Sequence, residues 1–436
     1  MNEKKYRFDL IRAIQICYFI ILPFSFLIFS YFRVDLISSV IFRSNDGQCD
    51  PSREGIGIHC FGDFHEGLVS PSDLGTVGYK NHYWLSPMDA IISRISSLLN
   101  IFASERAILF VAIGIYIFAL LIPIIDVRKN LNRTKDAGVV TLIYIGSFPL
   151  LASFDRMNSI SLAAPLCYFF FFYLLTEKSQ KISLFFVLIC VFKPQLLLLV
   201  VPIFIFFGFK VALKNLLFGL TGIVIVIISQ HNFHFNSLKL WILTIIDFGA
   251  GKQVLSEDYP NNISFSRMIY FVSSRLGIAQ ENESVPALIA FVISMTILLL
   301  VIFLRNKLDK ADALLVILSI AVIGFSKVTG TYYLILILML ELARFRSGNE
   351  TIFSEQANQN KQRIGTHLRK YLYLIILVPI PIPIFGYFSR LDINEQSQNI
   401  IPLLNPILTS IAILITCTVI VVQGFSKQKQ DFETLT

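Results

Sequence analysis

The sequence predicts an all-α, polytopic membrane protein. Of its 436 residues, 55% are hydrophobic and only 15% are charged, and the mean hydropathy is +0.68. A soluble domain carries about a quarter of its residues as charged side chains. Apolar stretches of membrane length recur from one end of the chain to the other. The net charge of +8 falls mostly in short loops between them, so it indicates orientation and not nucleic-acid binding.

The first apolar run covers residues 11–32 and follows a basic start that contains Lys4, Lys5, Arg7 and Arg12. The run is too long for the core of a signal peptide and lacks a small-residue cleavage site. We therefore expect a retained helix whose N-terminus lies in the cytoplasm.

The charges of the later loops alternate between basic clusters and polar, mixed stretches. The basic group, assigned to the cytoplasm, comprises 126–136, 176–181, 210–214, 305–310, 344–370 and the C-terminal tail. The opposite group comprises 33–105, 153–158, 193–195, 231–285, 327–332 and 389–399. This alternation predicts about twelve hydrophobic segments with both termini in the cytoplasm.

Several of the predicted segments are too short to cross a bilayer, which takes roughly 20 residues. The short ones are 139–152, 182–192, 196–207 and 332–342. Short paired segments joined by polar turns indicate helices that end partway, around a cavity open to the outer face.

One stretch, residues 344–370, is rich in Asn, Gln, Ser and charged residues and predicts a flexible cytoplasmic linker. It divides the chain into a membrane domain over residues 1–343 and a C-terminal helical hairpin with a tail over residues 371–436.

Lys193-Pro194-Gln195 interrupts an apolar run that extends from residue 182 to residue 209. A lysine at bilayer depth is costly unless it faces protein, water or an anion. Proline removes a helical hydrogen bond and frees carbonyl groups that need other partners. The pattern predicts a broken helix that lines an intramembrane site for a negatively charged group. The alternative is a lysine that snorkels to the membrane surface from a helix end.

The first outer loop, residues 33–105, contains several acidic residues and histidines, and Cys49 and Cys60 flank a short stretch of it. On an oxidising external face these two cysteines would form a disulfide. A zinc site made of Cys49, His59, Cys60 and His65 is the alternative, although the spacing matches no standard zinc pattern.

Three further features of this loop indicate an interfacial, sugar-binding surface. Residues 61–66 place carboxylates among aromatic residues, and residues 79–87 combine aromatic and amide groups, which stack on and hydrogen-bond sugars. In residues 86–102, apolar side chains recur at helical spacing. This predicts an amphipathic helix along the membrane surface.

Two polar turns are assigned to the same side as Lys193. One is Asp155-Arg156-Met157-Asn158, and the other is Asn262-Ile263-Ser264, followed by Arg267. Taken singly, each is an ordinary satisfied loop; their shared side favours a common site.

In this order the motifs resemble those of the GT-C class of membrane glycosyltransferases, above all the polyprenol-phosphate-mannose-dependent mannosyltransferases. The residues that carry the resemblance are Gly62-Asp63-Phe64, Tyr83 to Pro87, the Asp155–Asn158 turn, Lys193-Pro194-Gln195, and Asn262-Ile263-Ser264 with Arg267. They span about the first 275 residues, and the Lys-Pro-Gln and Asn-x-Ser elements are the most specific. The size and plan are also similar to those of serotype-converting O-antigen glucosyltransferases.

The resemblance implies a GT-C-like fold and a hexosyltransferase of the bacterial inner (plasma) membrane. Its donor would be a polyprenyl-phosphate sugar, and its acceptor a cell-envelope glycan or glycolipid such as the O-antigen of lipopolysaccharide. No cofactor is implied, because the lipid-linked sugar is a co-substrate, and no metal is implied, because the leaving phosphate is a monoester-type group and not a pyrophosphate. An O-antigen polymerase or a lipid-linked oligosaccharide flippase is the alternative.

The resemblance also implies roles for individual residues. Asp63, with Glu66 beside it, would be the catalytic base, and Asp50 and Glu54 are alternatives because the loop is enlarged. Lys193, Arg156 and Arg267 would bind the donor phosphate. The remaining expected substrate-binding residues are His65, Tyr83, Trp84, Asn158, Gln195, Asn262 and Ser264.

Overall fold

A computed structural model describes residues 105–130, 159–229, 262–277, 283–326, 329–347 and 400–433, with isolated positions in 88–103, 140–153 and 238–243. Within these residues the fold is all-helical, and the one extended pairing there is an isolated antiparallel bridge between Asn262 and Gly330. The predicted fold class is therefore confirmed at this level.

Four of the described helices are long and apolar enough to cross a membrane. Their apolar windows are Phe110–Asn130 in α1 (Glu105–Asn130), all of α5 (Phe209–Ser229), all of α7 (Ser284–Phe303) and Ile407–Ser426 in α10 (Ile400–Glu433). Large apolar side chains on these helices are exposed, among them Phe110, Leu217 and Leu288. Exposed apolar faces on helices of this length are typical of lipid contact.

A first helical hairpin is broken near Lys193, as the sequence predicts. Helix α3 (Ser179–Phe192) ends there, and a 3₁₀ turn (Pro194–Leu199) leads into the short helix α4 (Val200–Phe207). Proline occupies the first position of the 3₁₀ turn, where its missing N–H costs no hydrogen bond. Gly208, at a positive φ of 83°, then turns the chain into α5.

A second broken hairpin follows α7. Helix α8 (Lys310–Ser319) continues as a π-helical segment (Ile320–Gly324), and after a turn the chain returns through a 3₁₀ turn (Thr331–Leu334) into α9 (Ile335–Arg346). The 3₁₀ turn of the first hairpin packs against the π-helical segment of the second. The two hairpins therefore meet where each of them departs from α-helical geometry.

Helix α9 lies at the centre of the packing. All of its residues from Ile335 to Arg344 are buried, and it packs against α1, α8 and α2 (Ser159–Leu175). Helix α2 also packs against α1 and α3 and is itself mostly buried, including the side chains of Phe170 and Phe171. A helix that is apolar on all sides is expected at such a central position.

Charged residues join the helices at one end of the bundle. Arg346 forms an ion pair with Asp126, and Lys310 forms one with Glu177. Tyr168 donates a hydrogen bond to the Asp126 carboxylate at 2.6 Å. The charge alternation assigned residues 126, 177 and 310 to the cytoplasmic side, so these contacts join segments that were expected to lie together.

Helix α9 includes the first residues of the predicted linker. It continues to Arg346, and Arg344 is buried, with its guanidinium 3.1 Å from Glu341 and 3.7 Å from Asp312. Charged residues after an apolar run predict a loop, whereas these ion pairs hold Arg344 inside the fold. From residue 348 onward the predicted linker lies outside the described residues.

The predicted amphipathic helix is described at some positions only. Met88, Ile91, Ile92, Ile95, Leu98 and Leu99 are helical. Of these, Ile95, Leu98 and Leu99 are exposed. Exposed apolar positions on one helical face fit the predicted contact with the membrane surface.

Candidate functional site

Lys193 is a buried cation at the break of the first hairpin. Its backbone is extended, with φ −143° and ψ 93°. Its N–H donates to the carbonyl of Ile189 at 2.8 Å, and its carbonyl accepts from the N–H of Leu196 at 2.9 Å. Only 5% of the residue is exposed. A snorkelling lysine carries its ammonium to the surface, so this burial argues against the simpler explanation of the motif.

The Lys193 ammonium faces the second hairpin. It lies 5.9 Å from the centroid of the Tyr333 ring, within the range of a cation–π interaction. Tyr333 is in the 3₁₀ turn that precedes α9 and is 7% exposed. We refer to residues 193–199 as the first tip and to residues 329–334 as the second tip; the contact between Lys193 and Tyr333 joins them.

The predicted Asn-x-Ser motif is bonded to the second tip. The Oδ1 atom of Asn262 accepts hydrogen bonds from the N–H groups of Ser264 and Thr329, both at 3.0 Å. The N–H of Ile263 donates to the carbonyl of Thr329 at 2.8 Å. Asn262, expected to contact substrate, thus uses its side-chain oxygen to hold two chain segments together.

Ser264 begins helix α6 (Phe265–Arg275) as its N-cap. Its hydroxyl oxygen accepts from the N–H of Arg267 at 3.1 Å, which satisfies one of the free N–H groups of the first turn. The helix start is fixed further by Ser410 of α10, whose hydroxyl donates to the carbonyl of Ile263 at 2.7 Å. The C-terminal helix is therefore bonded directly to the candidate site.

Arg267 is a second buried cation in this region, with 3% exposure in the first turn of α6. The N-terminal end of a helix carries positive potential, which adds to the charge of this side chain. Lys193 contacts the second tip through the ring of Tyr333, and the segment of Arg267 contacts it through the hydrogen bond between Asn262 and Thr329. Cations in an interior of low dielectric favour a negatively charged group close to them.

Both tips follow helical arms that are shorter than the described helices of membrane-crossing length. Helix α3 has 14 residues. Helix α8 has 10 residues, and the π-helical segment that continues it has 5. At about 1.5 Å per residue, each tip lies roughly 20 Å from the end of the bundle that carries Glu177 and Lys310. Helices α5 and α7, with 21 and 20 residues, extend about 30 Å. The tips end roughly 10 Å short of that length.

The structure brings together part of the predicted site. Lys193, Asn262, Ser264 and Arg267 all belong to segments that contact the second tip, whereas Gln195 is exposed. The other predicted residues lie outside the described residues: Cys49, Cys60, Asp63, His65, Glu66, Tyr83, Trp84, Arg156 and Asn158.

The sequence pointed to no site role for three residues of this region, namely Thr329, Tyr333 and Ser410. The available signal was Gly330-Thr331-Tyr332-Tyr333 between two apolar runs, which indicates a polar turn but no partner. Cys167, Cys190 and Cys417, the cysteines that the structure describes, are buried free thiols, a common state for cysteines that pack as small apolar residues.

Within the described part of the chain, no group of three or more His, Cys, Asp and Glu residues is arranged to hold a metal ion. Comparison of the chain with protein-family models, curated proteins and solved structures finds no match. The features of the chain that point to a function are therefore its sequence motifs and the geometry of the two tips.

Proposed function

We propose that the protein is a hexosyltransferase that uses a polyprenyl-phosphate sugar as donor. It transfers glucose or mannose to a cell-envelope glycan or glycolipid, such as an O-antigen, on the external face of the bacterial plasma membrane. The observation that carries the proposal is the burial of Lys193 at a helix break, against an aromatic residue of a second break that is bonded to the Arg267 segment.

The donor has three parts that suit this location. Its lipid chain stays in the bilayer, its phosphate carries negative charge, and its sugar reaches toward the outer interface. Lys193 and Arg267 attract the phosphate, and Arg156, beside a polar turn on the same predicted side, is proposed as a third cation. Polar segments at intermediate depth give a phosphate access without exposing backbone groups to lipid.

The proposed reaction is a direct displacement at the anomeric carbon. An oxygen of the acceptor hydroxyl forms a bond to that carbon, the bond from the carbon to the phosphate oxygen breaks, and the lipid phosphate leaves with the electron pair. The hydroxyl proton passes to a carboxylate, for which Asp63 is the proposed base, with Glu66 as the nearby alternative. Cations near the leaving phosphate stabilise the charge that develops on it, and the product has inverted configuration.

The proposal includes the GT-C-like architecture of about twelve hydrophobic segments with both termini in the cytoplasm. The ion pairs at the end that carries Glu177 and Lys310 support the assignment of one side. Labelling of single cysteines introduced at positions 75 and 130 in intact cells tests it. We expect labelling at position 75 alone; labelling at position 130 alone would reverse the orientation.

The second broken hairpin favours one other candidate, a flippase for lipid-linked sugars. Paired broken helices that meet inside the membrane are a feature of transporters, and the sequence revealed only the first break. A flippase moves the whole lipid between leaflets and forms no new glycosidic bond. The two candidates therefore differ in their products.

Purified protein in lipid vesicles distinguishes these functions. The assay supplies labelled polyprenyl-phosphate glucose or mannose together with a lipid-linked glycan acceptor, and it measures transfer and donor binding in parallel. Because the Lys193 charge acts already in the bound donor, Lys193→Ala is expected to weaken both binding and turnover, and Lys193→Arg to restore part of each. Asp63→Asn is expected to lower transfer about 10²–10⁴-fold with donor binding retained.

Lys214→Ala provides the matched control, because Lys214 is an exposed lysine of α5 that also contacts an aromatic ring, that of Phe218, at 5.5 Å. It is expected to behave like the wild type. Lipid movement between leaflets without sugar transfer would favour the flippase. Transfer unaffected by Lys193→Ala would show that the break is structural.

A further inference from the structure

The second tip is held in one position by its first residue. Thr329 is fully buried, and three of its groups are bonded to other segments. Its N–H donates to Oδ1 of Asn262, its carbonyl accepts from Ile263, and its hydroxyl donates to the carbonyl of Val322 at 2.6 Å. The chain that leads to Tyr333 therefore starts from a point fixed by both the Asn-x-Ser motif and the π-helical segment.

Tyr333 is fixed from the other side as well. Its N–H donates to the carbonyl of Gly330 at 3.0 Å, and the next residues, Leu334 and Ile335, are buried at the start of α9. A side chain between two anchored segments has little freedom to leave its position. The ring is consequently presented to the Lys193 ammonium by structure that is independent of Lys193.

We infer that Tyr333 is a positioning residue for Lys193: its ring orients the ammonium toward a lipid phosphate between the two tips. The inference rests on the proposed donor site. An aromatic face attracts an ammonium without using its N–H donors and without neutralising its charge. A carboxylate in the same place would cancel the charge that is needed for the phosphate. A ring therefore attracts the cation without itself cancelling its charge.

The test replaces Tyr333 by rings of equal shape and decreasing electron density. The series is Tyr333→Phe followed by phenylalanine with one, two and three fluorine atoms at the same position, and it weakens a cation–π interaction with little change in packing. The probe is a fluorescent, short-chain polyprenyl phosphate, and its Kd for the full-length protein is measured in detergent micelles. Donor KM and kcat are measured on the same samples.

Tyr333→Phe is the reference of the series, because it lacks the hydroxyl and keeps the unsubstituted ring. Across the fluorinated series, Kd should rise stepwise by roughly 3- to 30-fold in total, the range that cation–π energies imply. Donor KM should rise in parallel, with a smaller change in kcat, because the interaction acts on donor binding. If Tyr333 had a purely structural role, Kd would show no trend across rings of the same shape.

A matched control comes from Tyr173, whose ring lies 5.0 Å from the ammonium of Lys181 near the other end of the bundle. The same fluorinated series at Tyr173 is expected to leave Kd unchanged. A flat series at Tyr333 with sugar transfer intact would overturn the inference and leave the proposed function standing. Probe binding that follows the series without any sugar transfer would overturn the proposed function alone. Absence of probe binding by the wild type would overturn both.

Discussion

Replacement of Asn262 by alanine tests whether this side chain joins the Asn-x-Ser motif to the second tip. Asn262 is 3% exposed, and its Oδ1 atom is the acceptor for the N–H groups of Ser264 and Thr329. A buried N–H that loses its acceptor costs about 1–3 kcal/mol. Two N–H groups lose their acceptor in Asn262→Ala, while the bond from Ile263 to Thr329 still joins the two segments and limits the loss. We therefore expect the free energy of unfolding to fall by about 2–4 kcal/mol.

The assay is equilibrium unfolding of the purified protein in mixed micelles with increasing fractions of SDS, combined with binding of polyprenyl phosphate to the folded protein. Binding should weaken, because the second tip loses one of its anchors and Tyr333 is held less firmly. Asn130→Ala is the control, since the Asn130 side chain bonds to Asp126 at an exposed helix end. Its effect should stay below about 1 kcal/mol.

An Asn262→Ala variant that unfolds within about 0.5 kcal/mol of the wild type, a difference typical of surface substitutions, would refute this role of Asn262. An unaltered affinity for polyprenyl phosphate in a clearly destabilised variant would separate the two claims. In that case the anchor would be real, and its connection to the anion site would be wrong.

Two further predictions concern packing and the outer loop. A Cβ atom at Gly324 would collide with the hydroxyl of Ser294 and lie 3.0 Å from its Cβ, so Gly324→Ala should destabilise by about 1–3 kcal/mol. Adding Ser294→Ala, which removes the hydroxyl from this contact and keeps a strong helix former in α7, should recover part of that loss. Gly114→Ala, which meets no atom within 4 Å, should not destabilise the protein in SDS unfolding. Cys49 and Cys60 should appear as one disulfide-linked pair in mass spectrometry of non-reduced peptides, whereas two free thiols or bound zinc would exclude the pairing.

The sequence predicts the first break and not the second for a physical reason. A lysine followed by proline marks a helix interruption, because proline lacks an N–H and a buried charge needs a partner. The π-helical segment Ile320–Gly324 has an ordinary apolar sequence, and nothing in its composition separates it from an α-helix. Its position is a property of the three-dimensional structure alone.

Contacts between distant residues are the other part that sequence reasoning could not supply. Ser410 bonds to Ile263 across 147 residues, and Asn262 bonds to Thr329 across 67. Local patterns and charge alternation carry no information on such pairs. The resemblance implies that Asn262 and Arg267 are site residues. Only the structure shows that Asn262 joins two segments of the fold.

The binding place of the lipid phosphate is the central claim about this protein. The decisive measurement is photo-crosslinking of the full-length protein in vesicles with a polyprenyl phosphate that carries a diazirine next to its phosphate, followed by peptide mapping. We expect crosslinks in residues 193–199 and 329–334, competition by unlabelled polyprenyl-phosphate sugar, and loss of most crosslinking in Lys193→Ala. Crosslinks confined to the exposed faces of α5 and α7, or to the end that carries Glu177 and Lys310, would contradict the account.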